Sequence, residues 1–165
     1  MEPNATPQDL SKTPEPPQYQ TPEAWIISGP LPERSVWDRI EAHHVRPLCT
    51  LFHVTGVPLV PSGRSCYRPR SYELQRGRSG SSLHTFPGSS RGACDLVRAD
   101  GVGVSSALDL LIVRGPWRRI CHYPRNGFVH VDYGDANGVI CERRQLFTCA
   151  GGSAPWRFVR WLPEC

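Results

Sequence analysis

The amino-acid sequence predicts an α+β fold, with a mostly antiparallel sheet and a few helices packed against it. Apolar residues recur at helical spacing early in the chain, whereas the last third holds short runs of alternating apolar and polar residues. An Asn-Gly pair, which is a strong hairpin signal, joins two of those runs. A chain of 165 residues with 39% hydrophobic residues is long enough to bury one core, so we expect one domain.

We expect this domain to span residues 25–165, after a Pro-rich arm at residues 1–24. The arm repeats Pro with Thr, Gln and Glu and has few apolar residues, which is typical of an extended or disordered segment. It is either a tether to a larger assembly or a flexible terminus. The chain shows no basic segment followed by an apolar stretch at its start, and no apolar run long enough to cross a bilayer. We therefore expect neither a secretory signal nor a membrane span.

The N-terminal part of the domain is expected to begin with a helix. Residues 35–44 start with a Ser that can cap a helix, and apolar residues follow at helical spacing. Residues 55–63 predict a strand entered through a loop. Residues 64–91, rich in Arg, Ser and Gly, predict a long loop that crosses a cleft.

The C-terminal half predicts one more helix and then a series of strands. Ser105 can cap a helix that ends at Arg114, just before a Gly-Pro pair. The segments that predict strands are WRRICHY, GFVHVDYG, GVICE, QLFTC and WRFVRWL.

The charged residues favour an anionic polymer as a partner. Lys12 is the only lysine, so Arg supplies 18 of the 19 basic residues. The arm carries this lysine and four acidic residues, a net charge of −3, which leaves +7 on residues 25–165 of the total of +4. Such a positively charged surface suits cell-wall polymers or nucleic acid as partners. The alternative, which explains the charge equally well, is that the arginines only face solvent and bind no polymer. No nucleic-acid recognition motif is present, so we expect no specific nucleic-acid partner.

Cysteine spacing argues against two kinds of structural site. The cysteines are odd in number, at seven, and form no CxxC pair. This pattern argues against a disulfide framework and against a cysteine-based zinc site. We expect most of them to be buried, reduced thiols. They lie at positions 49, 66, 94, 121, 141, 149 and 165.

The segment GFVHVDYG carries the first candidate site. Strand alternation places Phe128, His130 and Asp132 on one face, with His130 and Asp132 about 7 Å apart at their Cα atoms. One of the two polar side chains can then bind a metal while the other acts on a metal-bound water. A polar, solvent-facing sheet surface is the alternative interpretation.

A second cluster adds two more candidate ligands. His84 and Asp95 flank a segment of small residues, and with His130 they supply two imidazoles and one carboxylate. Three protein ligands and an open fourth position are what a catalytic Zn²⁺ site requires. A loop histidine and a capping aspartate are the alternatives for His84 and Asp95.

Several motifs resemble one known family. Ser82-Leu83-His84, then Gly92-Ala93-Cys94-Asp95, then FVHVD followed by Tyr133-Gly134, resemble the SxHxxGxAxD and FVHVDxG signatures of zinc D-Ala-D-Ala carboxypeptidases and related phage endolysin peptidases. The segment from Ser65 to Glu73 resembles the SGYRS segment of that family. The motifs occur in the family's order and cover about residues 48–135. The resemblance implies a metallopeptidase-like fold and a zinc site at His84, Asp95 and His130.

The chain departs from the family pattern at three positions. Cys66 stands where Gly is usual, and the ten residues between His84 and Asp95 are four more than the motif leaves. This insertion has to bulge outward if the ligands are to meet. Many members place Glu or Asp three residues before the last histidine as the general base, and that position here is Gly127.

Three further residues are candidates for catalysis. Asp132 is the nearest carboxylate to His130, as general base or as a group that orients it. His122 joins the site only if the hairpin loop has three residues, which pairs it with His130; a two-residue loop turns it away. The resemblance implies that Arg68 binds a substrate carboxylate or the oxyanion, while a surface arginine is the alternative.

The motifs together predict a zinc-dependent peptidase. The resemblance implies a peptidoglycan peptide as substrate, and a phage-encoded enzyme that is virion-associated or released from the host cytoplasm to act on the cell wall. The arm would contact virion or tail proteins. Two alternatives remain: a structural virion protein that keeps a peptidase fold, and a nucleic-acid-binding module.

Overall fold

The computed structural model describes residues 19, 21–27, 29–152 and 154–164. It is an α+β fold with a six-stranded, mostly antiparallel sheet, as the sequence predicts. The strands lie in the order β1-β2-β4-β3-β5-β6, and only β3 and β5 are parallel. The strands are β1 (Leu59–Pro61), β2 (Ala93–Arg98), β3 (Arg119–Tyr123), β4 (Phe128–Asp132), β5 (Gln145–Thr148) and β6 (Arg157–Trp161). The α-helices are α1 (Arg34–Ile40), α2 (Arg46–Thr55), α3 (Arg70–Gln75) and α4 (Leu108–Arg114).

The predicted N-terminal helix is confirmed, but Ser35 does not cap it, because the helix begins at Arg34 with Glu33 at the N-cap position. The helix also continues beyond the predicted end. A π-helical turn at Glu41–Val45 joins α1 to α2. The side chains of Leu48, Leu51 and Phe52 recur at helical spacing on the buried face of α2. Gly56 ends the helix in the left-handed conformation, with a φ of 69° that favours glycine.

The prediction of a long loop at residues 64–91 is wrong. This segment contains α3 and a 3-10 turn at Leu83–Thr85. Arg, Ser and Gly residues obscure the helix, and its start is held by distant parts of the chain: the Tyr67 amide donates to the Trp25 carbonyl and the Arg68 amide to the His84 carbonyl. Glu73 of α3 is 1% exposed and accepts a hydrogen bond from Arg78 at 3.0 Å.

The prediction for the fourth helix is right at its end and wrong at its start. The α-helix ends at Arg114 but begins at Leu108, after a 3-10 turn at Val104–Ala107. Ser105 lies inside that turn and makes no capping hydrogen bond, because its hydroxyl contacts His122 instead.

The predicted β3–β4 hairpin is confirmed, but its loop is longer than either predicted alternative. Four residues, 124–127, connect the strands, and Tyr123 pairs with Phe128. Cys121 therefore pairs with His130, and His122 points to the opposite face. Pro124 lies in the loop and not in the strand, which gives the longer turn.

Among the last three predicted strands, two are confirmed. The segments QLFTC and WRFVRWL form β5 and β6. The segment GVICE forms no strand, because the chain turns at Gly134 and folds back so that the Cys141 amide donates to the Tyr133 carbonyl. A Cβ at Gly134 would lie 2.2 Å from the Cys141 sulfur, so this close approach requires glycine.

The two faces of the sheet have different environments. Ile120, Val129 and Val131 are fully buried and belong to one apolar cluster with Leu51 of α2 and Leu111 of α4. Because side chains alternate along a strand, their neighbours project to the other face. That second face carries the candidate site.

Most of the predicted arm lies outside the described residues, including residues 1–18 and residue 20. Within the described part, Tyr19 is buried against Trp25, whose indole nitrogen donates to the Tyr19 carbonyl at 3.1 Å. Residues Pro22–Trp25 form a 3-10 turn. Among the described helices, none combines the length and the apolar character needed to span a bilayer.

Candidate metal centre

The strand register brings two of the predicted ligands together. Asp95 of β2 and His130 of β4 are directly paired, so their side chains share one face of the sheet. His84 reaches the same place from the 3-10 turn at Leu83–Thr85, where the Ser82 hydroxyl accepts a hydrogen bond from the His84 amide. All three side chains are buried.

The donor atoms of these residues converge on one point. The His84 Nε2 lies 3.3 Å from the His130 Nδ1 and 3.4 Å from the Asp95 Oδ1. The His130 Nδ1 lies 2.8 Å from the same oxygen. Tetrahedral ligands at zinc bond lengths of about 2.0–2.2 Å lie about 3.3–3.6 Å apart. The two separations from His84 match this range, and the 2.8 Å contact is a hydrogen bond that an ion would replace. The buried cluster of His84, Asp95 and His130 can therefore hold a metal ion.

Each imidazole is oriented through its other nitrogen. The His84 Nδ1 lies 3.0 Å from the carbonyl oxygen of Cys66, and the His130 Nε2 lies 2.8 Å from the Asp132 Oδ2. These acceptors hold a proton on those nitrogens and direct the opposite nitrogens toward the convergence point. Hydrogen bonds of this kind are usual for metal-binding histidines.

Asp95 is held by its second oxygen. Its Oδ2 accepts hydrogen bonds from the Arg68 Nη2 at 2.5 Å and from the Ser65 hydroxyl at 3.0 Å. The Arg68 Nε also donates to the Ser65 oxygen at 2.9 Å. Arg68, predicted to bind the substrate or the oxyanion, is thus engaged in positioning Asp95, although it also lines the cleft.

Asp132 lies behind His130 and away from the cleft. It is fully buried, and Arg119 binds it through two hydrogen bonds of 2.6 and 2.9 Å. The Gly134 amide donates to it as well, at 2.6 Å. Asp132 is predicted to act either as general base or as the group that orients His130, and the geometry supports the second role. A general base must reach the substrate, and Asp132 is not among the residues that line the cleft.

The structure does not bring His122 to the cluster, so the catalytic role predicted for it is wrong in this geometry. It lies on the opposite face of the sheet, where its Nε2 is 2.9 Å from the Ser105 hydroxyl. The four-residue hairpin loop is the reason, because it shifts the register by one residue from the three-residue alternative.

The two imidazoles differ in charge before a metal binds. Burial lowers the pKa of His84 despite the nearby Asp95 carboxylate, so this ring is neutral. Burial also disfavours the charged form of His130, but hydrogen bonds to Asp132 and Asp95 outweigh it and raise the pKa to about 9. Burial would raise the pKa of Asp95, but its interactions and hydrogen bonds with His84 and His130 outweigh burial and hold this pKa well below its usual value.

The segment between His84 and Asp95 is anchored at its backbone. The Arg39 Nη1 donates to the carbonyl oxygens of Phe86, Gly88 and Ser90 at 3.2, 2.8 and 2.6 Å. Gly92 then passes over the Phe86 ring, where a Cβ would lie 2.2 Å from a ring carbon. This segment is thus held outside the cluster, and the three candidate ligands meet.

A cleft of about 350 Å³ opens beside the three ligands. Arg68 and Arg78 line one part of it, and the aromatic side chains of Tyr123, Phe128 and Trp156 line another. A second cavity of about 430 Å³, beside α2 and the end of α4, has no histidine or carboxylate in its lining. Chemistry at a metal is therefore expected in the smaller cleft.

Sequence reasoning missed three residues of the site. Ser65 lies in the SGYRS-like segment, and no local pattern indicates its contact with Asp95. Arg119 alternates with Cys121 along β3, so the strand pattern would have located it once the hairpin register was known. Trp156, whose ring lies 5.1 Å from that of His130, has no local sequence signal.

Comparison of the chain with protein-family models, with curated proteins and with solved structures gives no match. The fold and the site therefore define its class by themselves. It is an α+β protein with a buried His-Asp-His cluster that can bind a metal ion beside an open cleft.

The role of Asp132 can be tested by metal affinity. We expect Asp132→Asn to weaken zinc binding about 10- to 100-fold, because His130 loses the carboxylate that orients it. Calorimetric titration with zinc measures the change, and circular dichroism checks that the variant is folded. The exposed Asp109→Asn on α4 is the control and should bind as the wild type. Unchanged affinity in a folded Asp132→Asn protein would remove the orienting role.

Metal binding should release a proton from His130. With a pKa of about 9, this ring is mostly protonated at about pH 7.5, and its Nδ1 must lose a proton to bind a metal. We expect about one proton released per zinc near that pH, and less as the pH rises through the pKa. Titrations in buffers of different ionisation enthalpy count the protons. No release at the lower pH would show that His130 is neutral beforehand.

Proposed function

We propose that the protein is a zinc-dependent peptidase that hydrolyses amide bonds in bacterial peptidoglycan peptides. The single observation that carries the proposal is the convergence of the His84, Asp95 and His130 donors beside an open cleft, with both imidazoles already oriented. Two imidazoles and one carboxylate are a common ligand set for catalytic zinc. A metallopeptidase-like fold is part of this proposal.

Zinc is the metal that we assign to the site. The donor set contains nitrogen and oxygen and no thiolate, and three protein ligands would leave a bound zinc ion one further position for water or substrate. Bound zinc would supply the Lewis acidity that polarises a carbonyl group and activates water. The residues of the chain hold the site in shape: Arg68 and Ser65 act on Asp95, and Asp132 acts on His130.

Tyr123 is the residue that we assign to the developing oxyanion. The Trp156 Nε1 donates to the Tyr123 hydroxyl oxygen at 2.6 Å, so the hydroxyl can donate its own proton to another acceptor. Burial raises the pKa of Tyr123, so it keeps this proton at neutral pH. Besides the candidate ligands, the described cleft-lining side chains with hydrogen-bond donors are those of Arg68, Arg78, Tyr123, Asn126 and Trp156. Arg68 is already engaged by Asp95.

The substrate class follows from the motif resemblance and is compatible with the charge of the cleft. Arg78 has half of its side chain exposed and lines the cleft, where it faces carboxylates of an entering peptide. Stem peptides of peptidoglycan carry such carboxylates. The expected association with a virion remains a prediction, because it depends on the arm outside the described residues.

Hydrolysis should depend on the metal. Purified cell walls incubated with the zinc-loaded protein should release new amino groups, which a chelator abolishes and added zinc restores. The variant His84→Ala should be inactive, because the cluster loses a ligand. His53→Ala, which removes an exposed histidine on α2, is the matched control and should retain activity. Binding without release, unaffected by chelator, would favour the structural virion protein instead.

The Tyr123 assignment predicts a specific kinetic change. Tyr123→Phe should lower kcat about 10²- to 10³-fold, the usual cost of one oxyanion donor, with KM and zinc affinity little changed. Steady-state kinetics on a soluble stem peptide, together with zinc titration, measure the three quantities. Tyr72→Phe, on the surface of α3, is the control. An equal loss of zinc affinity would mean that Tyr123 acts only through the structure of the site.

A further inference from the structure

The face of the sheet that carries the metal ligands continues to the edge of the sheet. Strand pairing sets Asp95, His130, Cys121, Phe147 and Phe158 in one row across β2, β4, β3, β5 and β6. Paired residues in neighbouring strands share a face. The row therefore begins at the ligands and ends on the edge strand, about 14 Å from His130 at a strand spacing of about 4.8 Å.

A β-bulge enlarges the aromatic surface at the end of this row. Leu146 pairs with Arg160 and Phe147 pairs with Phe158, so Val159 is an extra residue in β6. In a regular strand, Phe158 and Trp161 would project to opposite faces. The bulge turns both rings to the face of the ligands, with centroids 5.0 Å apart.

Four aromatic side chains form a continuous surface from the cleft to this edge. Trp156 lies 5.1 Å from His130 and 5.3 Å from Phe147, which lies 5.9 Å from Phe158. The two outer rings are open to solvent, Phe158 with 51% and Trp161 with 45% of its surface exposed. We call Phe147, Trp156, Phe158 and Trp161 the aromatic platform.

The charges around the aromatic platform are positive but sparse. The Arg143 guanidinium lies 4.3 Å from the centroid of the Trp161 ring, and that of Arg119 lies 5.3 Å from Trp156. Arg157 and Arg160 of β6 pair with residues whose side chains belong to the other face. The aromatic platform thus offers apolar rings with a guanidinium at either end, and not a continuous basic groove.

We propose that the aromatic platform binds the glycan strand of peptidoglycan, with sugar rings packed on the aromatic faces. This inference rests on the proposed function. A pyranose ring presents an apolar face of C–H groups, which packs on an aromatic ring, while the Arg143 guanidinium beside Trp161 suits a carboxylate of an attached peptide. Trp156 belongs to both the cleft and the platform, so a strand bound there presents its stem peptide to the metal ligands.

Two other occupants are less compatible with this surface. Single-stranded nucleic acid also stacks on aromatic rings, but it needs a basic groove along its backbone, and the arginines of β6 project to the other face. A second copy of the chain can pair with the open edge of β6. Each of these predicts a different result in the experiment below.

Glycan binding can be measured without hydrolysis. The full chain, kept metal-free with a chelator, is sedimented with purified, protein-free cell walls and with glycan strands stripped of stem peptides. We expect Phe158→Ala and Trp161→Ala each to weaken binding to both ligands about tenfold, through loss of ring packing. Val113→Ala, which shortens another exposed apolar side chain, is the matched control and should bind as the wild type.

Three results would overturn the proposal. The first is that the Phe158→Ala and Trp161→Ala variants bind walls as tightly as the wild type. The second is that oligo-dT binds more tightly than stripped glycan and depends on Trp161 in the same way. The third is that sedimentation velocity shows a dimer that Trp161→Ala dissociates. Because the binding assay excludes metal, it does not depend on hydrolysis, so loss of peptidase activity and loss of glycan binding are measured separately. A protein that binds glycan but cleaves no peptide keeps the platform, whereas cleavage with unchanged binding by the variants removes only the platform.

Discussion

The site depends on the position of the His130 imidazole between two buried carboxylates. Asp95 and Asp132 contact its two nitrogens at 2.8 Å each, and burial would be costly for all three groups if their charges were not balanced. Arg68 and Arg119 complete the balance, one on each carboxylate. This arrangement keeps one nitrogen of His130 fixed toward Asp132 and leaves the other facing Asp95 and His84, where a divalent ion can replace its proton.

The two faces of the sheet have different roles, one in the hydrophobic core and the other in the candidate site. One face packs its apolar residues against the helices, and the other carries the ligands, the cleft and the aromatic platform. Side-chain contacts hold the irregular segments in place around this sheet. Arg39 holds the segment between His84 and Asp95 through three carbonyl groups, and buried Glu73 joins Arg78 of the cleft to α3. Trp156 links the cleft to the exposed edge of the sheet.

Some of this could be predicted because it depends on local periodicity. Alternation in FVHVD placed His130 and Asp132 on one face, and motif spacing singled out His84 and Asp95; the structure brings the three ligand candidates within 4.8 Å. The failures have one cause in common. The role of His122, the strand at GVICE and the loop at residues 64–91 all depended on contacts that a local pattern does not contain. Trp156 approaches His130 from a distant part of the chain, and its own neighbours give no sign of it.

The sequence by itself determined the α+β class, the strands around the HVD segment and the residue types able to bind a metal, since side-chain alternation and residue chemistry are local properties. Only the tertiary structure decided the hairpin register, and with it that Cys121 and not His122 faces the site. It also decided that Asp132 lies behind His130 and that Arg68 holds Asp95. The physical reason is that a shift of one residue reverses every side chain in a strand, and its free energy depends on packing between segments far apart in the chain.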